Sequence, residues 1–258
     1  MSQRGNANGR TQQGAAVKIG FPLPSPLSLL FFVTAIALLI FAVSDIRQSA
    51  RFADVFLVAE RLEQSGQVSP ETLTKTTAMT DMIVSGDYCR SDIVMAGTTL
   101  VLNRLDTADE ITGYDAWLRA SDGAERFMRH AVSCMPTESN LWLRLAMVRS
   151  VIVQEPKAIA RFVDMSARLA PADEVALLAR VYFWNRLHAA TLEAARKSLQ
   201  GDVNLLLALG DPHEVGPSLA VISPALLPFV KEAGAKLPPD RKALLLAFGV
   251  KAFGALRR

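Results

Sequence analysis

His130 and Cys134 are the two residues of this 258-residue chain with the clearest capacity for metal chemistry. They lie four positions apart, a spacing that puts both side chains on one face of a helix, where an imidazole and a thiolate can share a metal ion. The neighbouring sequence supplies no third ligand. We therefore expect a histidine beside a structural cysteine and predict no metal site.

The other candidates for catalysis are an acidic group and a set of aromatic residues. Asp106, Asp109 and Glu110 have the composition of a carboxylate pair for acid–base chemistry, but they fall in a polar connection where charges are usually solvated. Four aromatic residues at helical spacing are expected in the core and not in a cofactor groove: Trp142, Tyr182, Phe183 and Trp184. The sequence also lacks HExxH, a nucleophile elbow, a P-loop and a dinucleotide fingerprint. We predict neither an enzyme nor a bound cofactor.

Cys89 and Cys134 are the only cysteines of the chain. Without CxxC or a clustered Cys/His pattern they argue against c-type haem, thioredoxin-like chemistry and structural zinc. Cys89 opens one predicted helical stretch and Cys134 closes a later one, so the two ends meet if these helices pack antiparallel. In an exported domain this predicts one disulfide, with two buried free thiols as the alternative.

The helices that position these residues follow a long apolar segment, Leu27–Val43, which contains no charged residue. At about 1.5 Å per residue it forms a helix of about 26 Å, close to the hydrocarbon thickness of a bilayer. We predict a transmembrane helix that contacts lipid. A cleaved signal peptide is the alternative, since Ala42, Val43 and Ser44 offer the small residues of a cleavage site.

The charges on either side of this segment bear on its orientation. Arg4, Arg10 and Lys18 precede it without any acidic residue, which favours a cytoplasmic N-terminus. Three arginines follow it closely and weaken the asymmetry: Arg47, Arg51 and Arg61. A long apolar segment near an N-terminus acts by default as a signal anchor. We therefore expect a single-pass protein of a bacterial-type inner membrane with its main domain in the periplasm.

The net charge of +3 conceals an uneven distribution. Residues 1–18 carry +3, and residues 231–258 carry seven basic and two acidic side chains, hence +5, which leaves 3 − 3 − 5 = −5 for the part between. A basic end on an acidic body suits anionic lipid or an acidic partner, and ordinary solvated helix ends account for it equally well. Few aromatic residues accompany these charges, so nucleic-acid binding is not expected.

Apolar residues recur at helical spacing through almost all of Ser44–Arg258, which predicts an all-α domain. Asp106–Asp122 is less regular, with Trp117 and Leu118 expected to be packed. The last predicted helix covers Arg241–Leu256, docked on the core, with an interfacial helix as the alternative. The helices predicted before and after the irregular stretch are Asp45–Gln64, Pro70–Val84, Tyr88–Leu105, one starting at Ala172-Asp173-Glu174, and Thr191–Leu199.

A repeated pattern of small and large apolar residues stands in the middle of the chain. Its residues are Ala124, Met128, Ala131 and Pro136, then Trp142, Leu145, Ala146, Ala158, Phe162 and Pro171. These spacings resemble degenerate tetratricopeptide repeats over about Gly123–Leu199. Four features depart from the family pattern. Arg149 replaces a tyrosine, Met165 replaces a small residue, Pro171 comes one residue late, and the helix that should precede Ala124 does not fit at Ala108–Asp115.

The resemblance implies stacked helix pairs that bury their apolar faces on one another, with Trp142 wedged between neighbouring helices. We expect five parts: a disordered cytoplasmic tail (1–26), the transmembrane helix (27–44), a helical first part of the exported domain (45–122), the tetratricopeptide-like pairs (123–200) and a helical cap (201–258).

Anchored proteins of this family in the bacterial envelope attend secretion, cytochrome maturation or polysaccharide export. The resemblance therefore implies a non-catalytic scaffold or assembly factor that holds partner proteins at the membrane. The alternatives are an accessory subunit of a larger membrane complex and an envelope enzyme whose site forms only with a partner. The oligomeric state cannot be predicted.

Overall fold

A computed structural model describes residues 25–253 of the chain, and every regular element within that range is helical. The all-α prediction is confirmed for these residues, whereas the expectations for residues 1–24 and 254–258 lie outside them. The helices in chain order are α1 (Pro26–Arg51), α2 (Ala53–Glu63), α3 (Pro70–Ser85), α4 (Ser91–Thr107), α5 (Tyr114–Cys134), α6 (Ser139–Ile152), α7 (Pro156–Leu169), α8 (Glu174–Trp184), α9 (Ala189–Ala194), α10 (Arg196–Leu209), α11 (Pro212–Ser218), α12 (Leu227–Ala235) and α13 (Pro239–Ala247).

The chain divides into two units between Ala50 and Arg51. The described part of the first unit consists almost entirely of α1, which contains the whole apolar run Leu27–Val43 and buries none of its residues. Its length and composition suffice to cross a membrane, and both an anchor and a signal sequence meet that test. The second unit contains α2 to α13.

A break at Phe52 replaces the single helix expected over Asp45–Gln64. The backbone of Phe52 leaves helical geometry (φ −105°, ψ 17°), and α2 starts at the next residue. The Phe52 ring is fully buried and meets Tyr88 edge to face at 5.0 Å between centroids. Burial of a phenylalanine side chain contributes about 1.5–3 kcal/mol to stability, which exceeds the free-energy cost of interrupting the helix at this residue.

The starts of two later helices follow the sequence signals closely. Ser69 caps α3 by accepting a hydrogen bond from the backbone N–H of Thr72 at 3.2 Å, with Pro70 at the first helical position. Asp173 caps α8 in the same way, through the backbone N–H of Ala176 at 2.8 Å.

The prediction of an irregular stretch over Asp106–Asp122 is wrong for its second half, because α5 already begins at Tyr114. Trp117 is buried as expected, but Leu118 is exposed. The face formed by Trp117, Ala120 and Ala124 is buried and holds this first part of α5 in helical form. Within the pair α4–α5, Gly97 lets the helices approach closely, since a Cβ there would meet the Phe127 ring at 2.4 Å.

Two apolar cores fill the second unit, and α6 contributes to both. Leu143 and Ala146 belong to the core formed with the helices that follow α6. Leu141, Leu145 and Val148 belong to the core formed with the helices that precede it. Because α6 is apolar on two sides, it joins the two cores into one body.

The C-terminal helices differ from the predicted ones in their boundaries. The expected Thr191–Leu199 helix is divided at Ala195, and α10 continues through Gly201 to Leu209 because Leu199, Val203 and Leu206 are all buried. The predicted boundaries between parts of the chain, after residues 44, 122 and 200, lie inside the helices α1, α5 and α10 respectively.

The last predicted helix, Arg241–Leu256, ends early. Helix α13 stops at Ala247, and Gly249 then adopts φ +105°, a conformation that favours glycine and ends the helix. A 3₁₀ turn follows at Lys251–Phe253. Leu245 and Val250 are fully buried, so this end of the described chain is docked on the core.

A buried ion pair joins α8 to α10. Arg180 donates from Nε to Oδ2 of Asp202 at 2.9 Å and from Nη2 to Oδ1 at 3.0 Å. Trp184 Nε1 donates to the same carboxylate at 2.9 Å, and Arg180 Nη1 donates to the carbonyl of Ala170 at 3.1 Å. Every one of these charges has a partner, which is the condition for tolerating them in a core.

We predict that Asp202→Ala destabilises the protein by about 3–5 kcal/mol, because it leaves Arg180 buried without a counter-charge. At about 2–4 °C per kcal/mol, the midpoint of a thermal melt in detergent should fall by about 10 °C. Glu193→Ala is the matched control, since it removes the exposed ion pair of Glu193 with Arg196. Equal melting temperatures for the two variants would contradict the role assigned to the buried pair.

Candidate binding groove and disulfide corner

A groove of about 580 Å³ opens on the surface formed by α4, α6 and α8. These are alternate helices of the chain, and α5 and α7 contribute nothing to its lining. Its walls are Leu102, Leu105, Asp106, Arg144, Met147, Val148, Ser150, Val151, Ala179, Tyr182, Phe183, Arg186 and Leu187.

The groove is mainly apolar and partly open to solvent. Val151 and Tyr182 are 48% and 52% exposed, while Val148 and Phe183 form buried parts of the wall. A concave apolar surface with a few polar groups is the usual form of a site that binds another molecule. Of the four aromatic residues expected in the core, Phe183 and Trp184 are buried, whereas Tyr182 projects into this groove.

Three charged residues line the groove without neutralising one another. Burial lowers the pKa of the Arg144 guanidinium, and the attraction of Glu63 offsets this only in part. Burial also raises the pKa of Asp106. Arg144 donates from Nε to Oδ1 of Asn140 on its own helix at 3.2 Å. Among the described residues, no ion pair joins either Arg144 or Arg186 to a carboxylate.

The acidic group expected in the connection after α4 does not act as a unit. Asp106 lies at the end of α4 and lines the groove. Asp109 instead orders the connection, where it accepts hydrogen bonds from the Thr112 hydroxyl and, at 2.8 Å, from the backbone N–H of Ile111. The hydrogen bond from Thr112 lowers the pKa of Asp109. Asp109 is therefore a turn residue.

Most residues of the repeat pattern lie in the packing between helices, and none of them lines the groove. The small and apolar members are buried: Ala124, Met128 and Ala131 on α5, Leu145 and Ala146 on α6, and Ala158 on α7. Phe162 is partly buried, and Pro136 and Pro171 occupy exposed positions in connections.

Trp142 lies at the edge of this packing. Its side chain is partly exposed, its Nε1 donates to the carbonyl of Pro136 at 2.8 Å, and its ring centroid is 6.2 Å from that of Phe162. The Trp142 side chain thus contacts the connection after α5 and a residue of α7, the two elements between which it was expected to lie. The side chains that are fully buried in the cores are those of its neighbours Leu141 and Leu143.

Arg149 of α6 is bonded to α5 and to the residue that precedes α7, and so connects three consecutive parts of the fold. It donates from Nη1 to Glu125 of α5 at 3.0 Å and from Nη2 to Glu155, the residue before α7, at 3.1 Å. Glu125 also accepts from Arg129 at 2.6 Å. Burial alone raises the pKa of Glu125, but the hydrogen bonds from Arg129 and Arg149 outweigh it, so that the pKa lies below its ordinary value.

The expected disulfide between Cys89 and Cys134 is present, with Cα atoms 5.0 Å apart. It ties the residues just before α4 to the end of α5. In the chain-entropy description, closure of its 45-residue loop contributes about 3–4 kcal/mol. The corner also contains Asp87 and His130, and one donor atom from each of the four side chains lies within 4.8 Å of the others.

Sequence reasoning missed Asp87 and the groove. No local spacing relates Asp87 to His130, which is 43 residues later in the chain. The only signal for the groove was Tyr182, a large aromatic residue with a polar hydroxyl on a mainly apolar helix. The remaining histidines lie elsewhere, His188 at the exposed start of α9 and His213 against Phe248.

Comparison with known proteins finds no matching protein-family model, no matching curated protein and no matching solved structure.

We predict that Glu125→Gln lowers stability by about 1 kcal/mol near neutral pH, where the carboxylate bonds to both arginines. A depressed pKa in the folded state stabilises above the ordinary value of 4.5, and this contribution is lost as the pH falls through the folded value. Urea unfolding of both proteins should therefore give curves that converge as the pH falls below 4.5. A difference that stays constant with pH would contradict this assignment. Glu138→Gln, an exposed carboxylate in the next connection, is the control.

Proposed function

We propose that this protein is a non-catalytic, membrane-anchored scaffold that holds a segment of a partner protein in the groove of α4, α6 and α8. The observation that carries the proposal is the groove itself, in which partly exposed apolar side chains such as Val151 and Tyr182 surround a few charged groups. A segment that covered these side chains would remove apolar surface from water, the main source of binding energy at protein interfaces.

The charges of the groove indicate what the segment carries. Arg144 and Arg186 have no carboxylate bonded to them in the described part of the chain, and the Arg144 guanidinium is already partly desolvated. A partner that supplies a carboxylate to these arginines avoids burying an uncompensated charge. We therefore propose a segment with apolar side chains along one face and at least one Asp, Glu or terminal carboxylate.

Repeat-like packing supports the same proposal. Helix pairs α4–α5 and α6–α7 are consecutive, and the groove is lined by the first helix of each pair and by α8. Two departures from the tetratricopeptide pattern have local explanations. Arg149 joins three helices through ion pairs. Ser166, one residue after Met165, is buried against Ser139 with hydroxyl oxygens 3.0 Å apart, so the small residue is delayed by one position, as Pro171 is.

Helix α1 supplies the anchor in this proposal. It carries no charged residue over Leu27–Val43 and exposes large apolar side chains from Leu27 to Ile46. Lipid is the environment that removes such a surface from water. With residues 1–18 basic, the domain from Arg51 onwards is placed on the extracytoplasmic side.

We predict that a reporter fused after Arg258 reports an extracytoplasmic location. Alkaline phosphatase needs an oxidising compartment and should be active in the full-length fusion, whereas a fluorescent reporter that matures only in the cytoplasm should be dark. The two reporters are fused at the same position and are active on opposite sides of the membrane, so each checks the other. Activity of the cytoplasmic reporter alone would overturn the proposed topology.

We predict that a photo-crosslinking amino acid at Tyr182 captures a protein partner in intact membranes. The same amino acid at Leu209 is the matched control, because Leu209 is apolar, 76% exposed and outside the groove. A Val151→Glu substitution should lower the yield at Tyr182 at least about tenfold, since the new carboxylate loses its hydration under the segment and competes with the proposed carboxylate of the partner, at a cost of more than about 1.4 kcal/mol.

Two outcomes contradict binding in the groove. One is equal labelling from Tyr182 and Leu209, which indicates unspecific contact with apolar surface. The other is a yield at Tyr182 that Val151→Glu leaves unchanged. Because Val151 is half exposed, this variant should retain the melting temperature of the parent protein, and a melt of each variant checks this.

A further inference from the structure

The disulfide corner contains two potential metal ligands, Asp87 and His130, in addition to its two cysteines. Asp87 and Cys89 belong to the connection before α4, and His130 and Cys134 occupy the last turn of α5. Donor atoms from all four side chains lie within 4.8 Å of one another. None of these residues lines the groove, so chemistry at this corner does not depend on what the groove binds.

The hydrogen bonding of His130 fixes which ring nitrogen can bind a metal. Nε2 lies 3.1 Å from the carbonyl oxygen of Tyr88. A carbonyl oxygen only accepts, so the contact requires the proton on Nε2 and leaves the lone pair on Nδ1. A backbone carbonyl that holds the far N–H of an imidazole is the usual support of a metal-binding histidine.

The distances around Nδ1 approach those of a tetrahedral site. Zinc bonds of about 2.0–2.3 Å separate neighbouring donors by about 3.3–3.8 Å. Nδ1 of His130 lies 3.8 Å from Oδ1 of Asp87, at the upper end of this range, and 3.9 Å from Sγ of Cys134, just above it. In the disulfide this Sγ is closer to Nε2, at 3.4 Å, so the Cys134 side chain must turn towards Nδ1 when the disulfide opens. His130 is buried, so its ring is held in this orientation, whereas Asp87 and Cys89 are exposed and accessible to an ion and to a reductant.

We propose that reduction of the Cys89–Cys134 disulfide converts this corner into a Zn²⁺ site with Asp87, Cys89, His130 and Cys134 as ligands. The reductant is a dithiol, which gives two electrons and two protons to the disulfide, becomes a disulfide itself and leaves two cysteine thiols. Binding of Zn²⁺ then releases the two thiol protons. The site holds two thiolates, one carboxylate and a neutral imidazole, and thus a net charge of −1 with the ion.

The donor set favours zinc over the harder cations. Thiolate and imidazole ligands select Zn²⁺, whereas Mg²⁺ and Ca²⁺ take mostly oxygen ligands. The same four side chains therefore hold the start of α4 against the end of α5 in either redox state. A covalent bond does so in an oxidising compartment, and a metal ion does so in a reducing one.

The test compares full-length protein in detergent before and after reduction with a phosphine, which is removed anaerobically. Reduced protein should bind about one Zn²⁺ per chain, measured by elemental mass spectrometry, and oxidised protein almost none. Co²⁺ serves as a second probe, because tetrahedral coordination by thiolates gives intense visible absorption that Zn²⁺ should abolish. Circular dichroism follows the fold throughout.

Asp87→Gly is the decisive variant, since it removes an exposed carboxylate and glycine readily adopts the positive φ of 50° that residue 87 has before the disulfide. Removal of this ligand should weaken Zn²⁺ binding by at least about tenfold. His188→Gln, which removes an exposed histidine outside the corner, should leave binding unchanged.

Three results would overturn the proposal: equal Zn²⁺ content in the oxidised and reduced proteins, equal affinity of the Asp87→Gly and His188→Gln variants, or no binding by reduced protein. If reduction alone unfolds the chain, Zn²⁺ must restore its helical signal, because ligation and folding are then coupled. Failure to restore it counts equally against the site.

Discussion

The burial of α6 on two sides is the constraint on which the rest of the second unit depends. Leu143 and Ala146 face one core, and Leu141 and Leu145 face the other. Neither core is complete without this helix, so the α2–α5 half and the α7–α13 half of this unit stabilise each other through it. The ion pairs of Arg149 reinforce the arrangement from outside, since they connect α5, α6 and the start of α7. Such a helix tolerates few changes, because interiors are packed close to crystal density.

The groove follows from the same constraint. With two sides of α6 committed to the cores, its remaining face carries Arg144, Met147 and Val151, and α4 and α8 form the walls on either side. The buried pair of Arg180 and Asp202 holds α8 to α10 on the face away from the groove. Rigid support of this kind lets a binding surface stay formed without its ligand, which lowers the entropy cost of association.

The sequence predicted features that depend on local chemistry, such as the starts of helices. It did not predict features that depend on packing between residues far apart in the chain. The caps at Ser69 and Asp173 mark helix starts because one side chain satisfies one backbone N–H nearby. Gly201 has the character of a boundary in the sequence, yet α10 continues through it because burial of Val203 and Leu206 outweighs the low helix propensity of glycine. The disulfide was predictable from helix ends alone. Asp87 was not, since its place beside His130 depends on the turn at the end of α3.

The disulfide has a consequence for what a protease would leave behind. The only connection within its loop joins α4 to α5 and contains Ile111, which is 92% exposed. Exposed connections are the usual positions of proteolytic nicks. A nick beside Ile111 would separate the chain into two pieces that stay covalently joined and packed across one core. The cut protein would therefore keep its apparent size until a reductant was added, and in the absence of Zn²⁺ the core between α4 and α5 would then have to hold the two pieces by contact alone.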